Sequence, residues 1–312
     1  MKILFHFDAS DLLADKARRI AAPFEVACCP ESSNSAFDAA IGTTEVLWHS
    51  LKPVTAQVIA RAPKLRLIQK IGTGVNTIDL DAAKARGIAV CNLPGANGRA
   101  VAEMALLLML ACLRRLRDLD ASVRVAGGWH AATGLQDHCG EIGGRTVGLV
   151  GYGAVPQQLA DWLTAMGATV LYCSRTARTC PYERLPLPEL LGRSDIVSLH
   201  VPLDDSTHGL VGASALSLMK PGAILINTAR GALVDEAALE AALTSGKLGA
   251  AGLDVFAHEP PPPSHPLLAL PNVVALPHLA WLTQETLDRC LALAVDNCRR
   301  LESGESLMNR VA

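Results

Sequence analysis

The sequence predicts an α/β protein built from two doubly wound parallel-sheet domains. Three observations predict it. Short apolar runs alternate with segments of helical period twice along the chain, once over 1–97 and again from 147 onward. A strand, a glycine turn and a helix follow one another at Val147-Gly-Leu-Val-Gly-Tyr-Gly-Ala-Val-Pro156. At 312 residues the chain has the length of about two domains, each able to bury its own core.

In chain order, strands are expected over 2–7, 46–49, 65–70 and 87–91. Helices are expected over 12–21, with Asp11 as cap, and over 55–62 and 80–86. A long helix over 97–117, rich in Leu and Ala, joins the two halves, and its surplus apolar surface points to a subunit contact. Gly127-Gly-Trp-His130 opens a connecting loop. The second series places strands at 147–150, 170–173, 196–200, 223–227, 252–255 and 273–276, with helices between them such as 235–245. Pro260 to Pro263 form a stiff loop that cannot be helical. A final helix over 285–302 returns to the first domain. The expected domains are therefore 1–97 plus 282–312, discontinuous, and 98–281.

Composition narrows the function classes. Hydrophobic residues make up 50% and charged residues 19%, which fits a globular chain and excludes disorder. A formal net charge of −2 leaves no basic footprint for nucleic acid or an anionic membrane. The nine cysteines are odd in number and contain no C-x-x-C pair, a pattern of reduced thiols in the cytoplasm. The opening Met-Lys-Ile-Leu-Phe-His-Phe-Asp is strand-like and lacks a signal-peptide pattern, and the apolar run 104–113 is too short to span a bilayer. His6, His49, His130 and His138 lack metal-ligand spacing, so no metal is expected. No Gly-x-Ser-x-Gly elbow supports hydrolase chemistry.

The glycine turn carries the first chemical argument. Gly151 and Gly153 allow a tight turn and close approach of phosphates, and the helix N-terminus offers unpaired N–H groups and a positive dipole end. This is the Rossmann-like arrangement for a dinucleotide pyrophosphate. The third glycine of the pattern is Pro156, so the phosphates rely on the amides of Ala154 and Val155. Roughly twenty residues on, where an acid would accept the ribose hydroxyls, stand Ser174, Arg175 and Thr176, with Arg178 nearby. A fixed positive charge and two hydroxyls suit a 2′-phosphate, which favours NADP over NAD.

Parallel sheets bind ligands at the carboxyl ends of their strands. Three such ends carry Arg230, Glu259 and His278. Reduction of a 2-keto acid needs a proton delivered to the carbonyl oxygen, and histidine is the natural donor. A neighbouring carboxylate would hold the imidazole and raise its pKa. An arginine can clamp a carboxylate through paired N–H donors. In the first domain, Ile71-Gly72-Thr73-Gly74-Val75 follows a strand and can present backbone N–H groups to an anion, or serve as an ordinary glycine turn. Loops such as 48–51, and Trp281, shape the pocket wall; Leu51 and Trp281 are its candidate substrate contacts.

Several motifs in order carry a resemblance: Gly72-Thr-Gly-Val-Asn-Thr-Ile-Asp79, Asn97-Gly-Arg-Ala-Val-Ala-Glu103, the glycine turn, Asp195-Ile-Val-Ser-Leu-His-Val-Pro202, Asn227-Thr-Ala-Arg-Gly231, Gly252-Leu-Asp-Val-Phe256 with Glu259-Pro260, and Pro277-His278. Over nearly its whole length the chain resembles the D-isomer-specific 2-hydroxyacid dehydrogenase family. The resemblance implies an active-site cleft between two lobes and commonly a homodimer built on the long helix. It implies Arg230 as substrate clamp, Glu259 paired with His278, and His278 as acid/base. Gly72, Thr73, Gly74 and Val75 would give main-chain donors to the substrate carboxylate. His200, Pro202 and Thr228 would join the cofactor contacts, and Asp254 would hold the nicotinamide carboxamide. A glutamine stands at the place of Glu259 in formate dehydrogenase relatives, and a lysine at the place of Thr73 in phosphite-oxidising ones, so both activities are disfavoured. The chain ends soon after Trp281, without the C-terminal regulatory extension of many phosphoglycerate dehydrogenases. Ser174, Arg175 and Thr176 resemble the NADP-using glyoxylate and hydroxypyruvate reductases. The alternatives are a 3-phosphoglycerate dehydrogenase-like enzyme and a non-catalytic NAD(H)-sensing protein like the C-terminal-binding corepressors.

Overall fold

Two parallel sheets organise the chain in a computed structural model that describes residues 1–125, 129 and 134–312. Residues 127, 128 and 130 of the expected connecting loop lie outside the described residues. The chain divides into one unit of Met1–Asn97 with Leu282–Ala312 and a second of Gly98–Trp281.

The first unit opens β1 (Lys2–His6), α1 (Asp11–Ala21), β2 (Glu25–Cys29), α2 (Asn34–Ile41), β3 (Val46–His49), α3 (Ala56–Ala60), β4 (Leu67–Lys70), α4 (Leu80–Ala85) and β5 (Ala89–Cys91). Its sheet runs β2-β1-β3-β4-β5, all parallel, so the order reverses between β1 and β3. Ser10, not Asp11, caps α1: its hydroxyl accepts the Leu13 N–H at 3.3 Å. Asp11 instead sits in the first turn, where its charge meets the helix dipole. The sequence reading assigns no element to β2 or α2. The polar run Ser32-Ser33-Asn34-Ser35 reads as loop, yet Ser33 caps α2 through the Ala36 N–H, and Phe37 and Ile41 bury one turn apart.

The second unit holds α5 (Gly98–Leu113), α6 (Leu116–Arg124), β6 (Thr146–Val150), α7 (Ala154–Ala165), β7 (Thr169–Cys173), β8 (Glu183–Arg184), α8 (Leu187–Arg193), β9 (Ile196–Leu199), α9 (Ala213–Leu218), β10 (Ala223–Asn227), α10 (Glu236–Thr244), β11 (Leu248–Leu253), α11 (Pro266–Ala269) and β12 (Val273–Ala275). The chain then returns to the first unit as α12 (Gln284–Ser303), started by the Thr283 cap and stopped at Gly304 with φ +71°. The sheet order is β12-β11-β10-β9-β6-β7-β8, again parallel, with its switch point between β6 and β9. Apolar cores cover both faces, one around Leu225, Leu199 and Leu253, the other around Leu149, Leu159 and Leu108. Among the described residues, no helix is long and apolar enough to cross a membrane.

The expected helix over 97–117 is two helices. Arg115 adopts φ 52°, and the Gly140 N–H takes the Leu113 carbonyl at 2.9 Å, so α5 stops there. The change of side explains the break: α5 buries most of its residues, whereas α6 buries none. Strand β11 starts four residues earlier than the expected 252, at Leu248. Its glycines are packing requirements, because a Cβ at Gly249 would lie 2.6 Å from the Gly222 carbonyl oxygen and one at Gly252 2.9 Å from Leu108 on α5.

Burial holds three imidazoles neutral. Burial pushes His6 down to about 4, with the Lys52 charge acting in the same sense and Asp8 against it. Burial, then the charges of Lys70 and His6, put His49 well below the ordinary range. Burial takes His200 to about 3. Each folded-state pKa lies below the unfolded value of about 6.5, so the unfolded chain takes up the proton first. Stability is therefore full above about pH 6.5 and falls as acid is added, by at most roughly 1.4 kcal/mol per pH unit per imidazole. Thermal unfolding at pH 7, 6 and 5 should show a falling Tm, with part of the slope lost in His6→Leu; a Tm independent of pH would refute this account.

Candidate active site

At the switch point, β6 is followed by Gly151, whose N–H donates to the Cys173 carbonyl at 2.8 Å. Its φ of +100° excludes other residues, and a Cβ there would stand 2.5 Å from the carbonyl oxygen of His200. Gly153 caps α7 and faces open space, with no atom within 4 Å of a Cβ built upon it. That contrast separates a glycine the fold needs from one whose missing side chain leaves room for a ligand. The amides of Ala154 and Val155 open the helix, and Pro156 takes its third position, buried. Proline has no N–H, so this N-terminus offers one donor fewer than the glycine pattern would.

Across the crevice, β9 delivers His200, whose N–H donates to the Val150 carbonyl at 2.7 Å. Pro202 follows, exposed, its carbonyl accepting the Thr207 hydroxyl at 2.8 Å. The end of β10 places Thr228, 8% exposed. Among the described residues, His200 Nε2 and Thr228 Oγ1 are buried without a hydrogen-bond partner. Buried polar atoms are normally satisfied. Two orphans beside an open glycine cradle fit a dinucleotide that would supply their partners.

The loop after β7 holds Ser174, Arg175 and Thr176. Arg184 fixes its backbone, donating to the Ser174 carbonyl at 2.8 and 3.1 Å and to that of Arg175 at 3.0 Å. The Ser174 hydroxyl donates to the Thr176 carbonyl at 2.5 Å. Arg175 is exposed, and its charge is felt at the carboxyl of Asp204.

The trio meets at the carboxyl ends of β10, β11 and β12. Asn227 staples the turn that carries Arg230, with its Nδ2 donating to the Arg230 carbonyl at 2.8 Å and its Oδ1 accepting the Ala229 N–H at 3.0 Å. The Arg230 Nη1 donates to the Ala229 carbonyl at 2.6 Å. Glu259 sits after β11, with its Oε1 accepting the Phe256 N–H at 3.0 Å and its Oε2 lying 2.6 Å from His278 Nδ1. Burial pushes the Glu259 carboxyl up, but the hydrogen bond and charge of His278, the Phe256 N–H and the Arg230 charge together hold it below its ordinary value. An ionised carboxylate only accepts, so Nδ1 carries the proton of this bond and Nε2 is left for chemistry. Burial also lowers the Arg230 guanidinium, with Glu259 opposing.

Asp254, 1% exposed, accepts the Leu279 and Ala280 N–H groups at 2.9 Å each, and its carbonyl accepts the His278 N–H at 2.8 Å. His278 itself has φ 59°, a conformation that costs of the order of 1–3 kcal/mol and persists only where the surroundings enforce it. The resemblance gave Asp254 a cofactor contact. In the structure both of its oxygens are first committed to holding the histidine turn, leaving one lone pair on each. Burial raises its carboxyl pKa, against the two N–H bonds and His278.

In the first unit, the N–H groups of Thr73, Gly74 and Val75 take no acceptor among the described residues, while Gly72, with φ +147°, gives its carbonyl to the Leu93 N–H at 2.8 Å. Thr73 Oγ1 lies 3.3 Å from the Leu93 carbonyl and the Thr73 carbonyl accepts Asn92 Nδ2 at 2.8 Å, so the turn is braced behind its open amides. The Leu51 and Lys52 N–H groups both donate to Glu31 Oε1, at 2.7 and 2.9 Å. Trp281, at the end of the second unit, is buried. Sequence reasoning missed Glu236 and His265, which touch the Glu259 loop. Asp235-Glu236 reads as an ordinary helix start, and His265 is hidden behind a proline run.

Residues 106–280 match the family model described as D-isomer specific 2-hydroxyacid dehydrogenase, NAD binding domain. The chain is 42% identical over 271 residues to the D-3-phosphoglycerate dehydrogenase of Mycobacterium tuberculosis, a stretch covering 85% of this chain and 50% of that one, so it spans about half the length of that relative. It is 39% identical over 268 residues to the glyoxylate reductase of Aeropyrum pernix, covering 82% and 80%. A Thermus thermophilus protein of known crystal structure superposes with a TM-score of 0.90 at 38% identity over 100% of both chains. A match across more than half of the chain, and a relative of similar length aligned over most of its own residues, establish that the chain belongs to the D-isomer specific 2-hydroxyacid dehydrogenase family.

Proposed function

We propose that the protein reduces a small 2-keto acid, glyoxylate or hydroxypyruvate, to its 2-hydroxy acid, the D isomer where the product is chiral, with a nicotinamide dinucleotide, NADP in preference to NAD. The 2.6 Å pairing of His278 with Glu259 is the observation that carries this reading. When bound, the nicotinamide exchanges the hydride. Gly151, Gly153, Ala154 and Val155 would hold the pyrophosphate, His200, Pro202 and Thr228 would add further cofactor contacts, and Asp254 would bind the carboxamide. Arg230 grips the substrate carboxylate and polarises the adjacent carbonyl; in the first unit, the open amides of Gly72, Thr73, Gly74 and Val75 are donors of the kind a carboxylate takes. Leu51 and Trp281 are the candidate contacts to the substrate's side chain. His278 Nε2 gives its proton to the carbonyl oxygen; Glu259 keeps Nδ1 protonated throughout and stays ionised.

A panel of 2-keto acids assayed by nicotinamide absorbance with NADPH and NADH tests this. Turnover of glyoxylate or hydroxypyruvate is expected. Tight cofactor binding without turnover of any 2-keto acid would overturn the enzymatic reading in favour of a sensing protein. A second reading, 3-phosphoglycerate oxidation, is favoured by the match to the mycobacterial enzyme, and preference for its phosphorylated keto acid in the same panel would select it. Arg175→Ala should weaken NADPH roughly 10-fold or more, the loss of one charge-assisted contact, and NADH much less. Equal losses would refute the 2′-phosphate assignment.

We place a homodimer contact on the side chains that α5, α6 and the following residue leave exposed, Leu107, Leu116, Val123 and Val125; a monomeric mass by light scattering would remove it. The nine cysteines, all free, support a reducing, cytoplasmic setting, which cell fractionation tests.

A further inference from the structure

The loop that carries Glu259 is gripped by a second carboxylate. Glu236 opens α10 behind its cap Asp235, a place where an acid ordinarily serves the helix dipole. Its side chain does more: Oε1 accepts the Ala257 N–H at 2.8 Å, and Oε2 lies 3.3 Å from His265 Nε2. Both side chains are largely covered, at 20% and 15% exposure. The His265 ring also stands edge-on to Phe256, with centroids 5.5 Å apart. Gly231, next to Arg230, packs tightly on the same peptide: a Cβ there would fall 1.9 Å from the Phe256 carbonyl carbon and 2.3 Å from the Ala257 nitrogen. The preceding N–H, that of Phe256, is the one Glu259 accepts. Two consecutive peptide links, one on each side of Phe256, thus join the arginine turn and the helix acid to the carboxylate that orients His278.

We infer that Glu236, its carboxylate held by His265, is a positioning residue that sets Glu259 and through it the His278 ring. This rests on the acid/base reading above. Without Glu236, the Ala257 N–H loses its acceptor and the loop relaxes toward solvent, carrying Glu259 with it. Displacement of a catalytic group by about 1 Å costs of the order of 10²-fold in rate.

Two variants and two readouts test this. Glu236→Ala should lower kcat for 2-keto acid reduction by roughly 10- to 100-fold, with KM and cofactor Kd nearly unchanged. Glu236→Gln keeps an oxygen for the Ala257 N–H and should recover most of the loss. Independently of turnover, the strongly hydrogen-bonded His278 Nδ1–H should give a downfield proton resonance, assigned by its disappearance in His278→Gln. In Glu236→Ala that resonance should move or broaden, and Glu236→Gln should restore it. An unmoved resonance in folded Glu236→Ala overturns the inference whatever the activity, as does wild-type kcat. Absence of turnover in the wild-type protein with the resonance responding to Glu236 would instead strike the functional reading and leave the positioning role standing.

Discussion

Replacing His278 by glutamine should lower kcat for 2-keto acid reduction about 10²- to 10⁴-fold, the range of a positioned general acid, while cofactor Kd stays near the wild-type value. Glutamine can still reach Glu259 Oε2 with an amide N–H, so the loop keeps its partner, but it has no proton to release at neutral pH. The pyrophosphate contacts proposed above lie after β6, on Gly151, Gly153 and the start of α7, away from the substituted ring in the chain's wiring and on a different strand. Stopped-flow reduction and fluorescence titration of the cofactor separate the two quantities. Turnover retained within a few-fold of wild type would remove His278 from the chemistry. Parallel loss of cofactor binding would recast it as structural, a real alternative for a residue whose φ of 59° depends on its surroundings.

Arg230→Lys should cost nearly as much as Arg230→Ala, with kcat/KM down on the order of 10²- to 10³-fold in both. Lysine keeps the charge but not the planar fork that can address two oxygens at once. Here the fork is also part of a built turn: Asn227 fixes the backbone on both sides of it, and one nitrogen donates to the Ala229 carbonyl. A lysine ammonium cannot hold that carbonyl and a substrate carboxylate in the same geometry. Because the clamp holds the carboxylate in the ground state, KM should rise, and because it also polarises the carbonyl as charge develops on its oxygen, kcat should fall. Full activity in Arg230→Lys would show that charge alone suffices and that the guanidinium geometry is irrelevant.

Much of the second unit was legible before any coordinates. Strands β6, β9 and β10 are continuous apolar runs, because a parallel sheet covered on both faces needs no polar alternation. The end of the sheet that holds the site followed from the parallel strands, since ligands gather at their carboxyl ends; where the strand order reverses came only with the structure. The elements that stayed hidden share a cause. The first four residues of strand β11 hide because Leu248-Gly-Ala-Ala-Gly has poor strand propensity, and its glycines answer to Gly222 and Leu108, which are distant in sequence. Helix α2 hides because its start is rich in serine, and only the burial of Phe37 and Ile41 decides for helix. Propensity is a weak local prior that packing overrides.

The candidate site divides along the same line. Residue types at strand ends identified Arg230, Glu259 and His278, because keto acid reduction calls for a fork of donors, a carboxylate and an ionisable ring. The order of residues along the chain thus determined the two-sheet class, the glycine cradle and the chemical cast. Tertiary structure alone decided which atoms meet: Oε2 of Glu259 on Nδ1 of His278, both oxygens of Asp254 on the turn that follows, and Glu236 on the Ala257 amide. The physical reason is range. Backbone conformation and burial pattern are written in neighbours three or four residues apart, whereas a hydrogen bond depends on tenths of an ångström between groups that the whole fold must bring together.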